Sequence, residues 1–206
     1  MKKFVVTALI LLTSAAMPAH AEVEEYIFDK EGKHAFIQFR IKHLGFSWLY
    51  GRFNDFDGRF SYDKSKDQNN KVEVTINTAS VDTNHPPRDK HLREADFLDV
   101  AKYPTAKFVS TKYDRDENGN GGKLHGDLTL HGVTRKVVIR TEEVGGGKDP
   151  WGGFRRGFYG TTEIKLSDFN IKKDLGPASQ KVELMLSIEG IRQDKAPAKP
   201  ANMTTQ

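Results

Sequence analysis

The sequence predicts an all-β protein whose strands form an antiparallel barrel of about eight strands, accompanied by one short helix. Three observations lead to this prediction. Apolar and polar residues alternate with a period of two in at least six segments, which is typical of strands with one buried face. Glycine, asparagine and aspartate cluster between these segments, as expected for hairpin turns. A meander of such strands must protect its edges, and closing into a barrel does so.

The clearest alternation lies between His34 and His43, in the segment HAFIQFRIKH. Its apolar face consists of Ala35, Ile37, Phe39 and Ile41, and its polar face of His34, Gln38, Arg40 and Lys42. Phe36 is the one apolar residue out of step. Similar patterns recur at residues 72–77, 124–130, 136–140, 158–165 and 182–189. Turn signals separate the strands at residues 29–33, 63–70, 116–122, 131–132 and 145–153.

One stretch, VDTNHPPRDKHLREADFLDV from Val81 to Val100, has helical character. Pro86 and Pro87 suit a first helical turn, and Asn84 is predicted to cap it. The apolar stripe comprises Leu92, Ala95 and Phe97, and the side chains predicted to face solvent are Asp89, Lys90, Arg93 and Glu94. We expect this helix to cover part of the sheet or one end of the barrel.

Both ends of the chain are predicted to lie outside the domain. Lys2 and Lys3 precede an apolar run at residues 4–12, and Ala19-His20-Ala21 fits the rule for cleavage, so residues 1–21 are predicted to be a secretory signal peptide. The apolar run is too short to span a bilayer, and we expect a soluble mature chain. Residues 22–192 form one predicted domain, and residues 193–206 are predicted to be a disordered tail because they are rich in proline, alanine and polar residues.

Composition excludes several classes of protein. The chain carries a formal net charge of +4 at pH 7, and removal of Lys2 and Lys3 with the leader lowers this charge to +2. A nearly balanced charge without a recognition motif predicts that nucleic acid is not a partner. The chain has no cysteine, which excludes disulfides, thiol catalysis and covalently attached c-type haem.

The motifs that could carry chemistry are incomplete. His85 and His91 are six residues apart, which does not place them on one helical face as a metal-binding pair requires. Residues 114–125, DRDENGNGGKLH, begin like a calcium loop, but position twelve is a histidine in place of a glutamate. Ser61 and Lys64 have the spacing of acylating serine enzymes without the accompanying motifs. We therefore predict no catalytic residue, no metal and no cofactor.

Aromatic residues are abundant: the chain has 13 Phe, 2 Trp and 6 Tyr. This number exceeds what casual filling of a core needs, and several of these residues fall in loops or at strand ends. A barrel of about eight strands is just wide enough either to be filled by side chains or to hold one small ligand. The residues leave both interpretations open, a filled core or an apolar lumen.

Four segments together resemble a known family. They are IKHLGFSWLYGRFNDFDGRF, SVDTNHPPRDKHLREADFLDVAKYPTAKF, GDLTLHGVTRKV, and DPWGG followed by LSDFNIKKDLGPASQKVELMLSIEG. In this order, over roughly Glu25 to Arg192, they are similar to the YceI-like family of bacterial exported proteins. Such a chain of motifs is specific, although the Pro86-Pro87 pair and the long C-terminal tail are not expected in a typical member.

The resemblance implies a lipocalin-like antiparallel barrel in the periplasm. Its lumen is expected to hold a long apolar chain of polyisoprenoid or fatty-acyl type, including the tails of isoprenoid quinones, and no enzymatic activity is implied. The expected partners are an isoprenoid lipid or quinone and, transiently, an inner-membrane electron carrier; an aromatic barrel mouth also leaves a homodimer open. We expect residues 81–100 to be scaffolding, with head-group contact by His85, Arg88 or His91 as the alternative.

The lining can be assigned from parity if each apolar face points into the lumen. The predicted lipid-binding residues of the wall are Ile37, Phe39, Ile41, Phe60, Val74, Ile76, Phe108, Leu128, Leu130, Val137, Ile139, Phe158, Ile164, Leu184 and Leu186. Trp48, Trp151 and Phe97 are predicted to lie near openings, where an amphipathic ring can contact a head group. Two alternatives stay open: a stress-associated structural protein with a filled barrel, and a lipid-modifying enzyme with a histidine such as His91 as base.

Overall fold

The computed structural model describes residues 23–193, so the predicted signal peptide and the predicted tail beyond Gln193 lie outside the described residues. Within that range the strands are β1 Glu24–Phe28, β2 Phe36–His43, β3 Ser47–Phe53, β4 Phe56–Tyr62, β5 Lys71–Asn77, β6 Val81–Asp82, β7 Thr105–Arg115, β8 Gly121–Leu130, β9 Val133–Lys148, β10 Phe154–Lys165 and β11 Lys181–Arg192. The helix α1 is Pro86–Leu92, and short 3-10 turns lie at Asp67–Asn69, Thr78–Ser80, Leu166–Phe169 and Pro177–Ser179. No helix in this range is long and apolar enough to cross a membrane.

The sheet closes on itself as an eight-stranded barrel. β1 and β2 pair one after the other with β11, because Tyr26 lies opposite Arg192 and Ile41 lies opposite Val182. β4 and β3 pair with β1 and β2 in turn, and β5 and β6 follow on the far side. β1 with β2, β3 with β4, and β5 with β6 therefore each act as one long strand that is interrupted near its middle. Together with β7 to β11, these three make eight strands in meander order. The predicted fold class, an all-β antiparallel barrel with a short helix, is confirmed.

The barrel has two ends of different construction. The helix end carries the β2–β3 turn at residues 44–46, the connection with α1 at residues 83–104, and the segment at residues 166–180. The terminal end carries the start of β1, the end of β11 and the β9–β10 turn at residues 149–153. Phe169 is only 1% exposed and packs into the interior, so side chains fill the helix end.

The alternation in β2 produces the two faces that its sequence predicts. Ile37 is buried at 4% exposure, whereas its neighbour Phe36 is 41% exposed on the outer surface. Inward residues of β2, of the other strands and of the Leu166–Phe169 turn form two apolar clusters. One cluster contains Tyr26, Phe28, Ala35, Ile37, Phe56, Phe60 and Tyr62. The other contains Phe108, Leu124, Leu128, Ile139, Ile164, Phe169 and Val182, and both have Val72, Val74 and Leu186 against them.

Buried polar contacts that the sequence did not indicate hold helix α1. The prediction that Asn84 caps the helix is wrong, because Asn84 lies one residue too early with a φ of 60°. His85 is the cap, and its Nδ1 accepts a hydrogen bond from the Arg88 N–H at 3.2 Å. The prediction that Asp89 faces solvent is also wrong. Its buried carboxylate accepts hydrogen bonds from the N–H and the hydroxyl of Thr83, which ties the helix to the end of β6.

Candidate functional site

The barrel contains an apolar cavity of about 150 Å³ that extends from its middle toward the terminal end. Its lining residues are Phe28, Ile37, Phe60, Ser61, Tyr62, Asn70, Val72, Val74, Ile76, Phe108, Tyr113, Leu124, Leu128, Val137, Ile139, Thr141, Phe158, Tyr159, Gly160, Thr162, Leu184, Leu186 and Ile188. No carboxylate, basic side chain or histidine occurs in this lining, as far as the structure describes the chain. The cavity therefore has the composition of a site for apolar groups.

The structure brings together eleven of the fifteen residues predicted for the wall. These eleven are Ile37, Phe60, Val74, Ile76, Phe108, Leu128, Val137, Ile139, Phe158, Leu184 and Leu186. The other four, Phe39, Ile41, Leu130 and Ile164, belong to the cluster around Phe169. They pack inside the barrel outside the cavity lining, because residues 166–171 close the helix end with side chains.

The three aromatic residues predicted near openings have three different surroundings. Trp48 lies on the outer surface of β3, where the Arg40 guanidinium sits 4.3 Å from the centroid of its ring. Trp151 is 75% exposed in the β9–β10 turn at the terminal end. Phe97 is buried beside α1, with its ring edge-to-face against His91. None of the three lines the cavity.

Sequence reasoning missed the three tyrosines of the lining, Tyr62, Tyr113 and Tyr159. Tyr62 continues the parity of Phe60 along β4, so this signal was available. Tyr113 is five residues from Phe108, and simple alternation would place the two on opposite faces. A register shift between Ser110 and Lys112 brings both into the cavity, and a bulge of this kind is not visible in the apolar pattern.

Ser61 and Asn70 supply polar atoms to the lining, yet their hydrogen bonds are used within the β4–β5 connection. The Ser61 hydroxyl donates to the Asn69 carbonyl at 2.5 Å. The Asn70 side chain accepts from the Asp63 N–H at 2.7 Å and donates to the Asp63 carbonyl at 3.2 Å. Because these groups already have partners, they do not form a polar anchor aimed at a ligand.

Arg156 covers one of the cavity tyrosines at the terminal end. Its guanidinium lies 3.8 Å from the centroid of the Tyr62 ring, and its side chain is only 12% exposed. It donates to Glu24 Oε2 at 3.2 Å and to the Glu143 carboxylate. The Tyr26 hydroxyl also donates to Glu24, and burial together with this hydrogen bond raises the pKa of Tyr26 to about 12. This group of ion pairs and stacked rings borders the cavity.

Arg115 makes a second cationic contact at the same end. Its guanidinium lies 5.4 Å from the centroid of the Tyr113 ring and 5.7 Å from that of Tyr62. The Nε donates to Asp67 Oδ1 at 2.9 Å, and an Nη donates to the Asp63 carbonyl at 3.0 Å. Two of the tyrosines that line the cavity, Tyr62 and Tyr113, thus each have an arginine guanidinium close to the ring.

Among the described residues, two groups of side chains have the spacing of metal ligands. In each group a neighbouring arginine or lysine already binds the carboxylates. Asp29, His34 and Glu189 offer ligand atoms within 4.8 Å of one another, but the Arg155 guanidinium donates to both carboxylates. Burial alone would raise the pKa of Asp29, but hydrogen bonds from His34, Arg155 and a backbone N–H outweigh it and lower this pKa to about 2. An ion-pair cluster accounts for this arrangement.

The second group, His91, Glu94 and Asp96, lies on the surface beside α1. The Lys173 ammonium donates to Asp96 at 2.6 Å, and the His91 ring nitrogen lies 3.0 Å from the same carboxylate. The histidine that was considered as a base therefore contacts a surface carboxylate, and it does not line the cavity.

Comparison with known proteins decides the family. Residues 26–190 match the YceI-like domain. The chain belongs to the YceI-like family. A UPF0312 protein of Pseudomonas aeruginosa is 58% identical over 193 residues, which cover 94% of this chain and 100% of that protein. The resemblance predicted from the sequence is confirmed.

Two solved structures share this fold. The YCEI protein of Campylobacter jejuni has a TM-score of 0.67 and 33% identity, covering 75% of this chain and 91% of that one. A domain of Saccharophagus degradans described as polyisoprenoid binding has a TM-score of 0.57 and 16% identity, covering 82% of this chain and 98% of that one. The second similarity shows a shared fold.

Proposed function

We propose that this YceI-like protein is a non-catalytic binding protein of the periplasm that holds a long apolar lipid of isoprenoid type in its barrel. The observation that carries this proposal is the cavity, whose walls come from nine strands. Within residues 23–193 no charged side chain or histidine lines it. The polyisoprenoid-binding description of the Saccharophagus degradans domain, which shares the fold, supports the same ligand class. A quinone with an isoprenoid tail belongs to this class.

The energy of apolar burial is sufficient to retain such a ligand. Burial of a CH₂ group is worth about 0.8 kcal/mol, so one five-carbon isoprene unit contributes roughly 3 to 4 kcal/mol. A dry cavity of about 150 Å³ lined by leucine, isoleucine and phenylalanine is known to accept a benzene molecule. The cavity as it stands thus accommodates one end of an apolar chain. A longer chain requires movement of neighbouring rings, such as Phe39 and Phe158, which lie toward the two ends.

The geometry favours binding over the two alternatives. A histidine base would need to reach the ligand, and in the described residues no histidine borders the cavity. A completely filled barrel is the stronger alternative, because the helix end is packed around Phe169. The cavity of about 150 Å³ beyond this packed end favours binding. The periplasmic location rests on the leader predicted at residues 1–21, and delivery of a quinone to an inner-membrane electron carrier is the role that this location suggests.

Extraction of the bound lipid tests the proposal directly. The mature protein is purified from its own periplasm without detergent, extracted with organic solvent, and the extract is identified by mass spectrometry. One isoprenoid or quinone in nearly stoichiometric amount is the expected result. A protein that is empty and also fails to take up added isoprenoids would establish the filled barrel instead.

A matched pair of substitutions connects the lipid to the cavity. Val137 lines the cavity, whereas the next residue, Val138, is 45% exposed on the outer surface of β9. Val137→Phe should displace the ligand and reduce the extracted lipid about tenfold, because the ring occupies volume that the lipid needs. Val138→Phe makes the same chemical change outside and should retain the lipid. Equal retention by two folded variants would contradict this cavity as the site.

A further inference from the structure

The outer surface around the β2–β3 turn carries an unusual concentration of exposed apolar side chains. Five residues form what we call the hairpin surface: Phe36 at 41% exposure, Leu44 at 60%, Phe46 at 86%, Trp48 at 37% and Tyr50 at 54%. None of them lines the cavity. The surface lies at the helix end of the barrel and extends from the turn along the outer sides of β2 and β3.

The turn that presents Leu44 and Phe46 is well fixed. Leu44 and Gly45 both have positive φ, at 53° and 82°, and the Phe46 N–H donates to the His43 carbonyl at 2.9 Å. The segment at residues 166–180 supports the turn, because the Ser179 hydroxyl donates to the Lys42 carbonyl at 2.6 Å. These hydrogen bonds hold the turn in one conformation, and in that conformation the Phe46 side chain is exposed to solvent.

The charged side chains of the β2–β3 hairpin itself are all basic. Between positions 40 and 52 the sequence has three cations, Arg40, Lys42 and Arg52, and no acid. Lys42 lies opposite Trp48 in the β2–β3 pair. The Lys42 ammonium is 5.6 Å from the centroid of the Trp48 ring, on which Arg40 also stacks. Acids of neighbouring strands neutralise two of these cations: Glu183 pairs with Arg40, and Asp82 pairs with Arg52. Among the described residues no acid pairs with Lys42, so its charge is the one that the hairpin leaves uncompensated.

This combination matches the chemistry of a membrane interface. Tryptophan and tyrosine are enriched at the level of lipid head groups, apolar side chains insert below them, and lysine and arginine extend toward phosphates. We propose that the hairpin surface docks the protein on an anionic phospholipid bilayer. Leu44 and Phe46 enter the acyl region, Trp48 and Tyr50 lie at the head groups, and Lys42 contacts lipid phosphate.

The opposite end of the barrel provides an internal contrast. The β9–β10 turn also exposes apolar residues, Val144 at 72% and Trp151 at 75%. Charges of both signs accompany this turn. Glu142 is exposed, whereas Glu143 pairs with Arg156 and Asp149 pairs with Arg155. An exposed acid is unfavourable beside an anionic bilayer, and the β2–β3 turn has none between positions 40 and 52. Trp48, next to the β2–β3 turn, and Trp151, in the β9–β10 turn, thus lie at opposite ends of the barrel. Docking through the hairpin surface involves Trp48 alone.

Tryptophan fluorescence distinguishes these two turns. The chain has two tryptophans, so Trp151→Phe leaves Trp48 as the single reporter and Trp48→Phe leaves Trp151. The mature protein is mixed with vesicles of phosphatidylethanolamine and phosphatidylglycerol, or with neutral phosphatidylcholine vesicles. The expected result is a blue shift and quenching by brominated lipid of Trp48 on the anionic vesicles, with no change in Trp151. A signal from Trp151 and not from Trp48 would overturn the proposal.

Substitutions identify the parts of the surface that carry the affinity. Phe46→Ser should lower the affinity for anionic vesicles, measured by co-sedimentation, about tenfold, because the acyl region loses a phenylalanine ring. Lys42→Glu should lower this affinity to a similar extent, because it places a negative charge near the lipid phosphates. Val144→Ser is the matched control at the other end and should bind like the parent. Binding that Phe46→Ser leaves unchanged would exclude the docking surface.

If this substitution instead dissociates a dimer in analytical ultracentrifugation, the surface is a contact between two copies. These results do not depend on the cargo of the cavity.

Discussion

The ring of Phe60 occupies the space into which a side chain at Gly190 would point. A Cβ added at Gly190 would overlap the Phe60 ring and approach Tyr26, which itself stacks on Phe60 with a centroid distance of 4.6 Å. Three further glycines face a phenylalanine ring in the same way: Gly58 with Phe28, Gly51 with Phe39, and Gly126 with Phe108. Glycine at these inward positions gives large rings room inside a narrow barrel, so the interior tolerates little added volume there.

Gly190→Ala should therefore destabilise the barrel. The added methyl group forces the Phe60 ring or β11 to move, and overpacking of this kind costs about 1 to 3 kcal/mol in the free energy of unfolding. Urea denaturation followed by circular dichroism measures this change. Gly147→Ala, at a strand position with open space around the added Cβ, is the control and should change the free energy by less than about 0.5 kcal/mol. Equal stability of the two variants would contradict the packing role of Gly190.

Parity along the strands predicted the direction of side chains well, and their depth in the barrel poorly. Ile37 and Phe39 alternate correctly in β2, yet Ile37 lines the cavity and Phe39 packs in the cluster of the helix end. The difference arises from Phe169, which enters the interior from a segment without strand alternation. A pattern of period two contains no information about a plug supplied by a distant loop.

The charged stretch around α1 shows a second limit of sequence reasoning. Asp89 follows the helical pattern of a solvent-facing residue, but the Thr83 N–H and hydroxyl draw its carboxylate inward. Arg88 reaches back in the same direction, donating to the Thr83 carbonyl at 2.7 Å. Such contacts depend on the path of the chain between β6 and the helix, which residue spacing does not specify.

Asp89→Ala should lower the free energy of unfolding by about 2 kcal/mol, because two buried donors of Thr83 lose their acceptor. Thermal and urea denaturation provide the measurement. Lys90→Ala changes the adjacent exposed residue of the same helix and should have an effect below about 0.5 kcal/mol. If the two substitutions had equal effects, Asp89 would be an ordinary surface residue and the structural role assigned to its carboxylate would be wrong.

Removal of Arg156 should weaken the terminal end of the barrel and open the cavity. Arg156→Ala leaves Glu24 and Glu143 without this guanidinium partner. Loss of one member of a partly buried ion-pair group costs about 1 to 3 kcal/mol. It also uncovers Tyr62, so a small apolar dye such as N-phenyl-1-naphthylamine should enter faster. Stopped-flow fluorescence measures the entry rate.

Arg59→Ala is the control for this experiment, because Arg59 is 72% exposed and pairs with Glu73 on the outer surface. It should change neither the rate of dye entry nor, by more than about 0.5 kcal/mol, the stability. An unchanged entry rate in a folded Arg156→Ala variant would show that the ligand uses another path, such as the helix end.

Asp29 should make the protein sensitive to acid. Its hydrogen bonds lower its pKa from 3.8 to about 2 in the folded state, so the unfolded chain binds a proton more readily than the folded protein does. The resulting stability is fully present above about pH 4 and disappears as the pH falls from 4 toward 2, with an amplitude of about 1 to 2 kcal/mol. Urea denaturation at a series of pH values should show this acid limb. Asp29→Asn should reduce the amplitude of this limb by that amount, and the rest belongs to other carboxylates with a lowered pKa, such as Asp82. It should also lower stability at pH 7, because Arg155 loses a charged acceptor. Asp57→Asn is the control, because Asp57 is 75% exposed and pairs with Lys30 on the surface; this variant should keep the acid limb. If the limb kept its full amplitude in Asp29→Asn, the acid sensitivity would come from other carboxylates.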